Sequence, residues 1–194
     1  MAWKLAAPDG DTPPSRWMRR KSVRIGSALT ALGVIAGSII AALTFSSPAP
    51  NVPLLDLPVP RFSLPGLAPG QAGVSSADLR SGGATVVNFW GSWCPPCVEE
   101  MPALQAVHHQ LGSQVRFVGI DEEDTRPAAL GFLRRVGVTY GSGFDGNGSV
   151  ATAFRIGGTP TTYFISHGKM LDFHQGRMTK GQLLTYIRQI FGVS

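Results

Sequence analysis

Cys94 and Cys97 are the only two cysteines of this 194-residue chain, and they stand three residues apart in Trp93-Cys94-Pro95-Pro96-Cys97. Two thiols at that spacing at the start of a helix close on each other with little strain. They open again when another thiolate attacks. The thiolate is the nucleophile in such exchange, so the attacking cysteine needs a lowered pKa and an open face. A helix N-terminus supplies the first through its unpaired N–H groups and the positive end of its dipole. Cys94 takes that position and is the expected attacking thiol; Cys97, one turn in and more shielded, is the expected resolving thiol. Pro95 and Pro96 remove two amide donors and leave the N–H of Cys97 to face the Cys94 sulfur. A zinc half-site is the competing reading, but a second cysteine pair or a close histidine pair is missing. His108, His109, His167 and His174 show no metal-ligand spacing.

The elements that must position the pair follow from periodicity. Thr85 to Trp90 is a β-branched and aromatic run that reads as a buried strand, and Val98 to Leu111 reads as a helix. Val98, Met101, Leu104, Val107 and Leu111 recur at steps of three and four, predicting one buried face, with Pro102 expected to kink the helix. Val115 to Ile120 is a strand running into the acidic stretch Asp121 to Asp124, read as a solvated helix start or, second, a dock for a basic partner. Pro127 opens a helix closed at Gly137, Asp145 to Gly148 is a turn, and a short helix follows through Phe154. Thr161 to Ile165 and Met170 to His174 form a hairpin across His167-Gly168. Thr179 and Gln182 make a capping box for a last helix, Lys180 to Phe191. Phe62 and Leu64 suit a first short strand. The pattern predicts a layered α/β domain with a mixed central sheet flanked by helices.

The net charge of +5 is unevenly spread. Residues 1–24 carry six Lys/Arg against two Asp, whereas residues 60–194 carry eleven Lys/Arg against nine Asp/Glu. A near-balanced globular part gives no support for a nucleic-acid partner. Residues 25–45 are uncharged and apolar, enough for a helix of about 31 Å, the thickness of a bilayer core. Basic residues precede this stretch and none follows until Arg61, which orients residues 1–24 to the cytoplasm and everything beyond residue 46 to the periplasmic or extracellular face. A cleaved signal peptide is the rival, with a shorter apolar run; the length favours a retained signal anchor. Residues 46–58 are a proline-rich linker, and the folded domain is expected over 59–194.

From Val59 onward the chain resembles the thioredoxin superfamily, and within it the membrane-anchored thiol–disulfide oxidoreductases of the TlpA, ResA and DsbE/CcmG kind. The resemblance rests on Val86-Val87-Asn88-Phe89-Trp90, the Trp93-to-Cys97 motif, Pro102 in the following helix, and Gly158-Thr159-Pro160-Thr161-Thr162. It implies a thioredoxin-like fold, a cis bond before Pro160, and Thr159 bordering the sulfurs, where an extended substrate would pair. Asn88 stands where cytosolic thioredoxins carry a buried aspartate. Glu100 matches a glutamate of the anchored branch, and its i, i+3 spacing from Cys97 lets it take the proton of the resolving thiol. An exposed carboxylate at a helix start is the plainer reading, and fits Glu99 better. Trp90 reads as core, and Trp93 as a flat apolar surface over the sulfurs. The resemblance further implies a redox-active disulfide with no other cofactor, protein disulfide or dithiol substrates, among them apocytochrome c during cytochrome c maturation, and a membrane thiol–disulfide electron donor. Direction stays open between a reductase and a disulfide-forming oxidase. A copper chaperone would space its cysteines one residue further apart, and a peroxidase would place its cysteine after a Pro-x-x-x-Thr turn, absent before Cys94.

Overall fold

The computed structural model describes residues 55–194. The apolar segment 25–45 and most of the proline-rich linker lie outside the described residues. Among those described, no helix is long and apolar enough to cross a membrane.

The strands are β1 (Leu57–Pro58), β2 (Ser63–Leu64), β3 (Val74–Ser75), β4 (Thr85–Trp90), β5 (Arg116–Glu122), β6 (Ser142–Asp145), β7 (Thr161–Ser166) and β8 (Lys169–Gln175). The helices are α1 (Ser76–Ser81), α2 (Pro95–Leu111), α3 (Arg126–Val136), α4 (Ser149–Phe154) and α5 (Lys180–Phe191). Six strands form one mixed sheet in the order β1-β8-β7-β4-β5-β6. β4 and β5 are parallel, as are β5 and β6; β7 runs antiparallel to β4 and to β8. Parallel neighbours need a crossover, and α2 and α3 supply the two. All six residues of β4 are buried, as expected of a central strand covered on both faces.

The two faces of β4 serve different cores. Val86 and Trp90 belong to an apolar cluster with α2, α3 and α5, while Val87 and Phe89 join Val118, Ile120, Phe154 and Tyr163 on the other face. Trp90 is fully buried and stacks on Phe132 of α3, with ring centroids 5.1 Å apart. Its indole edge meets Gly119 of β5: a Cβ there would lie 2.7 Å from Trp90 Nε1 and closer still to Ser142 Oγ. Gly119→Ala is therefore expected to lower stability by about 1–3 kcal/mol, the range for overpacking a tight core. A urea midpoint equal to that of the wild type would show that the indole shifts at no cost.

Two expectations need correction, and one strand was not foreseen. Ordered pairing begins before residue 59: Leu55 N donates to Leu171 O at 2.6 Å and β1 pairs with β8, because an edge strand tolerates the missing N–H of Pro58. β6, made of Ser142-Gly143-Phe144-Asp145, lacks the β-branched signature and is a strand only because β5 offers it an edge. The second correction is to β5 itself, which does not stop at Ile120 but continues through Asp121 and Glu122, both buried. The acidic stretch is thus no solvated helix start in its first half; only Glu123 is exposed, and Asp124 is half-buried. α1, with a capping box between Ser75 and Asp78, was not anticipated from periodicity because it is only six residues long.

Candidate active site

The strand-to-helix turn after β4 carries the two cysteines. Cys94 is the N-cap of α2, in extended backbone conformation, and Pro95 occupies the first helical position, where a missing N–H costs nothing. The sulfurs of Cys94 and Cys97 are joined in a disulfide with Cα atoms 5.4 Å apart. The backbone N–H of Cys97 points at Cys94 Sγ at 3.2 Å. A thiolate at Cys94 would receive that same donor together with the positive end of a helix of 17 residues.

The face around the disulfide is less open than expected. Cys94 is only 2% exposed and Cys97 is fully covered, because both pack into the apolar cluster with Trp90, Met101 and Met178. The exposed neighbours are Trp93 (53%) and Val98 (47%), which leave apolar surface beside the turn. Val98 is therefore not part of the buried stripe of α2, which runs instead through Cys97, Glu100, Met101, Leu104, Val107 and Leu111. Trp93 folds back over Gly91, where a Cβ would lie 2.6 Å from the indole. The Thr159–Pro160 bond is cis; Pro160 is buried and Thr159 Oγ1 has no hydrogen-bond partner.

Glu100 is buried, one turn beyond Cys97 along α2. Its Oε1 accepts from Met178 N at 2.9 Å and its Oε2 from Asn88 Nδ2 at 3.1 Å. Asn88 also donates to Thr162 Oγ1 at 3.0 Å, while its own Oδ1 is unpartnered. Burial pushes the Glu100 carboxyl up to about 7, against the two hydrogen bonds and the Arg177 charge that pull it down. A carboxyl so placed changes protonation near neutral pH, which an exposed one would not. Glu99 keeps the plainer role: it faces solvent and pairs with Arg177 at 2.8 Å.

On the other side of the turn is a second acid that the periodicity did not single out. Asp121 is fully buried and neither of its oxygens accepts a hydrogen bond. Next to it, Asp124 Oδ2 accepts from Ser92 N at 2.7 Å, two residues before Cys94. The signal was present in the alternation: Phe117, Gly119 and Asp121 share one face of β5, the face that carries the Trp90 cluster.

The sequence pattern of the AhpC/TSA family matches residues 55–173. Among curated proteins, the chain is 37% identical over 115 residues to the thiol:disulfide interchange protein DsbE of Allochromatium vinosum, covering 58% of this chain and 61% of that protein. It is 33% identical over 122 residues to the thiol-disulfide oxidoreductase ResA of Oceanobacillus iheyensis, covering 62% and 63%. The match thus spans a little over three-fifths of the length of each relative. Among solved structures, a DsbF homologue from Corynebacterium diphtheriae superimposes with a TM-score of 0.63 at 28% identity, covering 75% of this chain and 99% of that one.

Proposed function

The chain belongs to the AhpC/TSA family, and from that membership we propose that it exchanges disulfides with protein partners through the Cys94–Cys97 couple. The observation that carries the reading is the dithiol capping α2, with the Cys97 amide on the Cys94 sulfur. In the reductive direction Cys94 thiolate attacks one sulfur of a substrate disulfide, forming a mixed disulfide and releasing the other sulfur as thiolate. Cys97 passes its proton toward Glu100 and attacks Cys94 Sγ. The second substrate thiolate leaves, two electrons have moved to the substrate, and the Cys94–Cys97 disulfide is restored. Trp93 and Val98 offer apolar surface to the partner, and Thr159 and Pro160 carry the loop along which an extended segment would lie.

In finer terms, we infer a reductase on the outer face of the cytoplasmic membrane, anchored by residues 25–45 and supplied with electrons by a membrane thiol–disulfide donor. Apocytochrome c before haem attachment is the fitting substrate, in keeping with relatives named DsbE and ResA. The reduction potential of the couple, measured against a glutathione or dithiothreitol buffer, decides direction. A reductase should lie near or below about −270 mV, whereas a value near about −120 mV would make the chain a disulfide-forming oxidase.

A further inference from the structure

We propose that Asp121 is a positioning residue for the dithiol: it holds a proton against the Asp124 carboxylate, and Asp124 in turn holds the backbone of Ser92, two residues before Cys94. The inference rests on the exchange reading above for its consequence, but not for its geometry. The Asp124 side chain lies within hydrogen-bonding reach of Asp121. Asp124 already accepts from Ser92 N at 2.7 Å and from Thr125 N at 2.6 Å, so its carboxyl group is fixed by two backbone donors. Asp121 receives no donor at all and is fully buried. Two carboxyl groups in contact, one of them desolvated, are stable when a single proton lies between them. The hydroxyl of protonated Asp121 then donates to Asp124, and an otherwise orphaned buried acid is satisfied.

The other charged groups facing Asp121 are Arg126 from α3 and Asp145 from β6. Neither hydrogen-bonds Asp121. Arg126 Nη1 is spent on the carbonyls of Gly66 and Leu67, both at 2.7 Å, with its guanidinium over the Phe144 ring. Asp145 caps α4, accepting from Val150 N and Ala151 N at 2.9 Å each. Across on β4 the neighbour is Trp90, which carries no charge. On α2, Glu99 is engaged by Arg177, and Glu100 by Met178 and Asn88. On β5 itself, Glu122 alternates to the opposite face, and Glu123 follows it in solvent. Burial and the Asp124 charge together push Asp121 up to about 8, in keeping with a retained proton at neutral pH.

When that proton leaves, the pair carries two negative charges beneath the turn that presents Cys94. Repulsion loosens the hold on Ser92, and the added charge opposes ionisation of Cys94. The test follows the Ser92 amide resonance by NMR from about pH 6 to about pH 10 in the oxidised wild type, Asp121→Asn and Glu100→Gln. The wild-type resonance should move with a midpoint near 8; it should stay flat in Asp121→Asn, whose amide donates to Asp124 but cannot titrate, and keep its step in Glu100→Gln. In the reduced proteins, alkylation of Cys94 by iodoacetamide should coincide for wild type and Asp121→Asn at neutral pH. Above the step the wild type should be slower by about tenfold, the scale of one hydrogen bond to a charged group. A Ser92 step that survives in Asp121→Asn, or alkylation curves that never diverge, would overturn the proposal. A chain that shows both effects yet exchanges no protein disulfide would instead reject the oxidoreductase reading and leave the carboxyl pair standing.

Discussion

Cys97→Ser should accumulate a covalent complex with a disulfide-bonded protein substrate, and Cys94→Ser should accumulate none. The asymmetry follows from the turn. Cys94 Sγ sits at the helix cap with the Cys97 amide at 3.2 Å, whereas Cys97 is fully covered one turn in. A captured partner is released only when the second thiolate displaces it, so removing Cys97 stalls the cycle at the mixed disulfide. Steady-state exchange falls to the uncatalysed background in both variants, and only the trapped intermediate tells them apart. Non-reducing electrophoresis with mass spectrometry of the adduct reads the outcome. Equal trapping by both variants would mean that either sulfur can lead the attack, and the order of events proposed for the pair would fail.

The second large effect concerns Glu100 and the dependence of stability on pH. Its carboxyl is raised from an ordinary 4.5 to about 7 by burial, so the folded protein binds more protons than the unfolded chain between those values. Stability must then fall as pH rises through this window and level off above it. At 1.36 kcal/mol for each pH unit, the contribution is about 3 kcal/mol. Glu100→Gln removes it. The glutamine keeps an oxygen for Met178 N, and Asn88 can turn its unpartnered Oδ1 toward the new amide. The variant should therefore gain on the oxidised wild type as pH rises from about 4.5 to about 8, by roughly that amount. Asp121 and Glu122, raised to about 8 and about 7 by burial and neighbouring acids, slope the same way and should keep both curves falling. Urea midpoints across the range give the measurement. A constant gap between wild type and variant would mean that Glu100 is already ionised throughout. The same substitution should remove the step near neutral pH from the exchange rate if Glu100 accepts the Cys97 proton.

These expectations draw unequally on sequence and structure. The dithiol spacing, the strand before it and the Thr179–Gln182 capping box are written in contiguous residues, since each depends on neighbours within a turn or a strand. The ends of α3 and α5 are likewise local, set by Pro127, Gly137 and Thr179. Glu100 was legible through its spacing from Cys97, but its burial against Asn88 and Met178, 12 and 78 residues away, was not. Val98 kept the helical spacing of a core residue and nevertheless lies exposed near the turn.

What the amino-acid order determined alone was the identity of the reactive pair and the succession of elements that carry it, because hydrophobic period, caps and turn residues act over a few positions. Tertiary structure alone decided which acids lose water. Asp121 and Glu122 read as a solvated run until β6 covers the edge of β5 and Trp90 closes over the adjoining face. Desolvation is a property of everything packed around a group, and most of what surrounds these carboxyls comes from segments distant in the chain.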